Sequence, residues 1–377
     1  MSLTANISPA NMALTGNPIK LSINSSSLAT YTILVGEQTI FTGSGEGNFF
    51  VFIQDILADI VQPAQLYNES EEVLLQAEGC SRNVTINVSN SEKNNLTISL
   101  KVFIGGVSKR MLRHLNDENK NVFIWKLMNP DGNFFQTTRT SERLITIRET
   151  ELLPLSFIYP DGGILRVIAN GMETALIGVA GQPVALNLYR LRKQLFDTHH
   201  ILASIFDIYV GETKSCTIVI TPGTISRERY LLQFLNSYGS YELIEITGIG
   251  SIKREAEKEN AFNKYDEVID DYVESWERLS GCESMTVESG YRTNDELIHL
   301  IDLLSSDDIK LLGLDGRNIR VNVTAENLTR ASRATVPESI KLSLRFADSE
   351  QRYTGSFNDD DLGSPRIHTE QFTKQLN

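Results

Sequence analysis

The apolar residues of the first 223 positions fall mostly in short segments that alternate or carry β-branched side chains, each closed by glycine, asparagine, serine or proline. Successive side chains of a strand point to opposite faces, so alternation over such windows specifies half-buried strands. Segments 19–23, 31–35, 39–43, 83–88 and 96–104 read this way, and 49–62 is the exception. Its apolar positions 52, 53, 56, 57 and 60 have helical spacing and predict one short helix capping a β-sandwich.

A second strand-rich stretch follows the polar run NDENKN at 116–121. VFIWKLM (122–128) reads as a strand and NPDGN (129–133) as a tight turn. Further strands are expected at 144–147, 155–159, 164–168, 175–179 and 184–188, then in SIFDIYVG and SCTIVITPG. Between them PDGG (160–163) is a turn, and Asn170-Gly171 is a hairpin signal because both central residues must take positive φ.

At 377 residues the chain exceeds what one core normally serves, so several domains are expected. The fold expected is mostly β and multidomain. It has β-sandwich-like modules at 1–110 and 111–223, a β-rich module at 224–355 with one short amphipathic helix, and a polar tail or arm at 356–377. Met1–Pro18 reads as a second arm. The helix is placed near 293–304: Thr293 and Glu296 form a capping box, and Leu297, Ile298, Ile301 and Leu304 its apolar stripe. The stretch 253–281 is charge-dense and fits either a helix or long exposed strands.

Lys and Arg number 35 against 48 Asp and Glu, a net charge of −13, which predicts no general binding to nucleic-acid backbones. No apolar run approaches the ~20 residues that span a bilayer. MSLTANISPANMALTGNP lacks the basic and apolar regions of a secretory signal, so synthesis in a cytoplasm is expected. Cys80, Cys216 and Cys282 are widely spaced and read as reduced, buried thiols.

Catalytic patterns are not evident. GSGEG (43–47) has the wrong spacing for a phosphate loop and reads as a glycine-rich hairpin tip. The five histidines, His114, His199, His200, His299 and His368, make no metal-ligand spacing; His299 reads as a packed or half-exposed residue of its helix. No G-x-S-x-G elbow occurs. NDDDLG (358–363) fails the calcium-loop pattern at two positions. Asp270–Asp271 and Asp307–Asp308 are sequence neighbours rather than opposed carboxylates. The expectation is a non-enzymatic protein with no cofactor and no metal.

The stretch QFLNSYGSYELIEITG (233–248) looks most like a motif. Its apolar pattern, interrupted by Asn236–Gly239, reads as a hairpin in which Gly239 permits the turn and Tyr238 and Tyr241 pack across strands. Trp276, Tyr291 and Tyr353 are further aromatic positions that could line a sugar-binding platform, although strand aromatics commonly serve packing. Gly239, Tyr238, Tyr241 and Trp276 are the turn and interaction candidates.

Three segments carry a resemblance: SLKVFIGGVSKRMLRHL through LLPLSFIYPDGG (99–163), RYLLQFLNSYGSYELIEITG (229–248), and TVESGYRTNDELIHLIDLLSSDDIKLL through IKLSLRFAD (286–348). Together they resemble uncharacterised β-rich proteins of phages and prophages of gut Bacteroidetes. The resemblance implies a virion tail or baseplate component, similar in role to distal-tail or adaptor proteins. It would act as a homo-oligomeric ring with other tail or baseplate proteins as partners, without membrane or direct nucleic-acid contact. The alternatives are a cell-surface carbohydrate-binding or adhesion module and a polysaccharide hydrolase.

Overall fold

The computed structural model describes residues 3–347 except 93, 140–142, 224–227, 294–295, 314–317, 327, 329–336 and 338. Side chains at 249, 252, 254–260 and 277–282 are also outside the description, Cys282 among them. The tail expected at 356–377, Tyr353, His368 and the acidic run 358–363 lie outside the described residues. The fold is mostly β and is built from several sheets. Two compact units comprise residues 1–148, 152–221 and 236–241, and residues 149–151, 222–235 and 242–377.

In the first unit the strands are β1 (Thr4–Ser8), β2 (Asn11–Leu14), β3 (Lys20–Val35), β4 (Gln38–Phe52), β5 (Leu74–Gln76), β6 (Ser81–Asn90) and β7 (Asn95–Phe103). They continue with β8 (Leu144–Arg148), β9 (Leu155–Ile158), β10 (Leu165–Ala169), β11 (Met172–Leu176), β12 (Pro183–Leu186), β13 (Ile205–Val210) and β14 (Thr213–Thr221). A six-stranded sheet runs β1-β3-β6-β7-β2, with β4 on β3. The others are the five-stranded β11-β10-β13-β14-β8 and the three-stranded β5-β12-β9.

Alternation shapes the first sheet as the sequence requires: Leu21, Ile23, Ala29, Tyr31 and Ile33 of β3 are buried on one face. Helix α1 (Gln54–Ala58) adds Leu57 to that core beside Ile53 and Val61, where the spacing at 52–60 placed a cap. The N-terminal segment is no free arm, because β1 pairs with β3 and β2 runs parallel to β7, burying Ile7, Ala13 and Leu14. GSGEG is no hairpin tip either: it lies inside β4, and the β3–β4 turn is at Gly36-Glu37.

The core of the second and third sheets contains Phe134, Phe135 and Phe157, whose ring centroids are 4.9–5.3 Å apart. Full burial of one such side chain contributes about 1.5–3 kcal/mol. Asn170 and Gly171 take positive φ between paired β10 and β11, as a two-residue hairpin demands. Helix α2 (Lys109–Asp117) starts at Ser108, whose hydroxyl accepts from Met111 N, and α3 (Leu188–His199) starts at Asn187, whose side chain accepts from Arg190 N. His199 closes α3 and His200 is its left-handed cap.

VFIWKLM departs from its strand reading. Residues Phe123–Leu127 form a π-helical turn in which Met128 N donates to Phe123 O at 2.7 Å. Phe123 and Leu127, four apart, enter one small core with Leu14, Phe103 and Ile158, while Ile124 is 76% exposed. A strand would have placed 123 and 127 on one face but also 125; burial of the pair in a helical turn overrides the β-propensity of these residues.

The second unit is a closed barrel of β15 (Arg229–Leu235), β16 (Tyr241–Asp266), β17 (Asp271–Glu288), β18 (Ile309–Leu312), β19 (Asn318–Ala325) and β20 (Lys341–Phe346), ordered β15-β16-β17-β20-β19-β18. Helix α4 (Glu296–Leu304) packs on it through Leu297, Leu300 and Leu303. The capping box is formed: Thr293 N donates to Glu296 Oε2 at 2.8 Å and Glu296 N to Thr293 Oγ1 at 3.4 Å. The stripe is rotated from its expected position, leaving Ile301 39% exposed. Among the described residues no helix is long and apolar enough to cross a membrane.

Candidate functional site

The turn at 236–240 is built around Asn236. Its side-chain oxygen accepts from Ser240 N at 3.0 Å, its carbonyl accepts from Gly239 N at 2.9 Å, and its amide donates to Gln136 O at 2.8 Å. Gln136 Nε2 donates back to Tyr238 O at 3.2 Å, and Gly106 N donates to Ser237 O at 2.8 Å. Gly239 has φ +85° and lies against Ile104 and Gly105; Gly105, at φ +94°, would bring a Cβ to 2.2 Å from Tyr238 C. Two glycine backbones therefore meet where no side chain fits. Tyr238 is half-buried against the core of Phe103 and Phe123. Gly239 and Tyr238 serve packing here, and the unremarked Gly105-Gly106 pair was the signal for a close backbone approach.

Tyr241, half-buried, opens β16, and Trp276, half-buried, pairs with Ala261 in the β16–β17 ladder. Trp276 belongs to the outer part of that ladder. From Arg254↔Glu283 out to Asp266↔Asp271 no third strand accompanies the two among the described pairings, a span of about 40 Å. The charge-dense stretch is thus a long hairpin.

Its end is apolar. Val268 is 93% exposed, Tyr272 66%, Ile269 57%, and Phe262 and Tyr265 nearly half. Tyr265 and Tyr272 pack edge to face across the strands at 5.4 Å, and the Tyr265 hydroxyl donates to Asp270. Asp270, at φ +54°, closes the turn, and Val268 N donates to Asp266 Oδ1 at 2.9 Å.

The charged groups of the barrel unit that could do chemistry are sealed. Arg292 donates to Glu151 Oε1 at 3.2 Å, to Ser289 O at 3.0 Å and to Glu245 O, while Glu245 N donates to Glu151 Oε1 at 2.8 Å. Side chains of Arg292, Glu151 and Glu245 are 2%, 1% and 0% exposed, so no substrate reaches them. His299 Nε2 lies 3.8 Å from Glu242, with its ring packed on Phe234 at 5.1 Å. The Arg292–Glu151 ion pair and the packing of His299 on Phe234 are structural contacts of this unit. Among the described residues no group of three His, Cys, Asp or Glu could hold a metal ion.

In the first unit a recess of about 500 Å³ is lined by Met12, Leu14, Lys20, Leu115, Lys120 and Phe123 among others. No carboxylate, histidine or thiol lines it. Elsewhere in this unit the partly buried Lys126 donates its ammonium to Asn133 O. Burial pushes the Lys126 ammonium down to about 8 and the buried Cys216 thiol up to about 12. Between pH 8 and the ordinary lysine value of 10.5 the unfolded chain holds the lysine proton and the folded chain has lost it, so this group adds stability as pH rises. The expected result is that wild type gains on Lys126→Met across that window in urea unfolding; a constant difference contradicts it. Cys80 and Cys216 are free and buried.

No protein-family model and no curated protein matches the chain. Among solved structures it is similar to part of a 1.5-MDa bacterial ice-binding adhesin, at 10% identity and TM-score 0.17, over 76% of this chain and 92% of that one. It is also similar to the periplasmic chaperone SfaE (8%, TM-score 0.20, 59% and 100%) and to a Bacteroides ovatus mixed-linkage glucan-binding protein (8%, TM-score 0.17, 73% and 69%). Likenesses at these scores carry no assignment.

Proposed function

We propose that the chain is a structural component of a tailed-phage virion, a tail, baseplate or tail-adaptor protein that works by oligomeric assembly. The observation that carries this reading is the β16–β17 hairpin. A two-stranded ladder is marginal by itself in water, yet this one extends about 40 Å and ends in Val268 and Ile269 on its surface. Such an element gains its stability by laying its apolar end against a neighbour. A closed barrel gives the neighbour a rigid mount, because closure removes its own free edges. Rings repeat one heterologous contact until it closes, and a rigid arm on a rigid mount fits that requirement. The resemblance of 99–163, 229–248 and 286–348 to phage proteins supplies the biological setting.

The test is light scattering on the size-exclusion peak of the full chain, with negative-stain imaging. Closed rings or a discrete high-order oligomer support the reading. Val268→Asp with Ile269→Asp is expected to abolish that oligomer while leaving unfolding of the monomer, compared at a dilution where wild type is dissociated, within about 0.5 kcal/mol of wild type, since both side chains are exposed. Oligomers indifferent to both substitutions would remove the hairpin from the explanation. A chain that binds soluble glycans and never assembles moves the assignment to a carbohydrate-binding module.

A further inference from the structure

Strand β4 has properties that the first unit does not use. It is 15 residues long, pairs with β3 alone among the described pairings, and has no buried residue along its length. Edge strands in monomers are short or guarded by lysine, proline, an inward charge or a bulge; on β4 the register against β3 shifts at two places, beside Gly47, whose φ is +72°, and at Ile40. β4 contains no proline, no lysine and no arginine, and its one charged residue is Glu46. On one face Gly43 and Gly45 lie beneath the rings of Tyr31 and Phe49, where a Cβ would come within 2.3 and 2.9 Å. On the other, Phe50 and Phe52, 57% and 50% exposed, stack edge to face at 5.7 Å with Lys20 Nζ 4.3 Å from the Phe50 ring. In the two regular runs, 41–45 and 47–52, alternate residues turn both N–H and C=O outward, away from β3.

We infer that β4 is a dimerisation edge that pairs antiparallel with β4 of a second copy about a two-fold axis at Gly45. Length selects this occupant: the other edge strands of the first unit, β1, β2, β5, β8, β9 and β11, have five residues or fewer. The sequence is also self-complementary about Gly45. In that register Phe41 meets Phe49, Thr42 meets Asn48 and Ser44 meets Glu46, so no like charges stand opposite each other. The paired strip is about 50 Å long and about 10 Å thick, which buries on the order of 1,000 Å² over both copies, the threshold for a specific interface. The contact is isologous and independent of the hairpin assembly proposed above.

The experiment is a charge exchange on the full chain, read by sedimentation and light scattering. Wild type is expected to show a two-fold step, twice the 42.2 kDa chain or a doubling of a larger particle. Thr42→Lys with Asn48→Lys places lysines opposite lysines and weakens that step roughly 10- to 30-fold; Thr42→Glu with Asn48→Glu does the same. Mixing the two variants restores a one-to-one heterodimer. Both positions altered are exposed, so thermal unfolding of the monomer stays near wild type and separates lost pairing from lost folding. An unchanged mass in the lysine variant, failed restoration on mixing, or a wild type without the two-fold step up to about 100 µM overturns the inference. Rings that survive the lysine variant without the doubling leave the assembly reading intact. A dimer sensitive to the lysine variant, with no larger particle, leaves the inference standing and removes the assembly reading.

Discussion

Valine at position 239 is expected to destabilise the first unit by about 3 kcal/mol or more. Gly239 sits at φ +85°, a region that a β-branched residue enters only under strain, and its Cβ would come 2.6 Å from Ile104 Cγ2 and 2.9 Å from the Ile104 carbonyl carbon. The side chain of Ile104 can turn, but its backbone is held by the donation of Ile104 N to Cys80 O and by β7 before it. Relief must therefore come from withdrawing the turn, which loses the Gln136 and Asn236 hydrogen bonds and uncovers the core beside Tyr238. Urea unfolding is the measurement, and Gly239→Ala should fall between wild type and valine. Full stability in the valine variant, with binding to some ligand lost, would make the turn a binding loop instead.

Arg292→Met should cost the barrel unit about 3–5 kcal/mol, the usual consequence of removing one partner of a buried ion pair. The arginine is a cation facing Glu151, and its other donors satisfy Ser289 O, Glu245 O and Glu296 Oε1. Its loss leaves a carboxylate that is 1% exposed facing an apolar side chain. Adding Glu151→Gln removes that charge, so the double variant should recover part of the loss, with a coupling of about 0.5–3 kcal/mol in a double-mutant cycle. Additive effects would show that the pair does not act as one unit.

The candidate surfaces were only partly legible beforehand. The turn at 236–239 could be read because asparagine and glycine carry local backbone requirements. Its staple could not, since Gly105 and Gln136 are distant in sequence and nothing local marks them as its neighbours. The stretch 253–281 was ambiguous because lysine, glutamate and alanine favour helix by only tenths of a kcal/mol per residue. Sixteen cross-strand pairs between β16 and β17 outweigh that preference. GSGEG was misplaced for a related reason: glycines that serve turns in one context serve here to admit the rings of Tyr31 and Phe49 across a strand.

Short alternating segments determined that this chain is mostly β, its length that it is multidomain, and the Thr293–Glu296 pair where α4 begins. Both are local properties: a side chain's face follows from its parity, and a cap needs only residues within one turn. Which strands pair was decided in three dimensions. β5 joins β12 across more than a hundred residues, β2 runs parallel to β7, and six strands from 229 to 346 close into a barrel. Those pairings depend on long-range burial, which also turned Phe123–Leu127 from a β-like sequence into a helical turn. A sequence states what each segment can bury; only the assembled core decides against what.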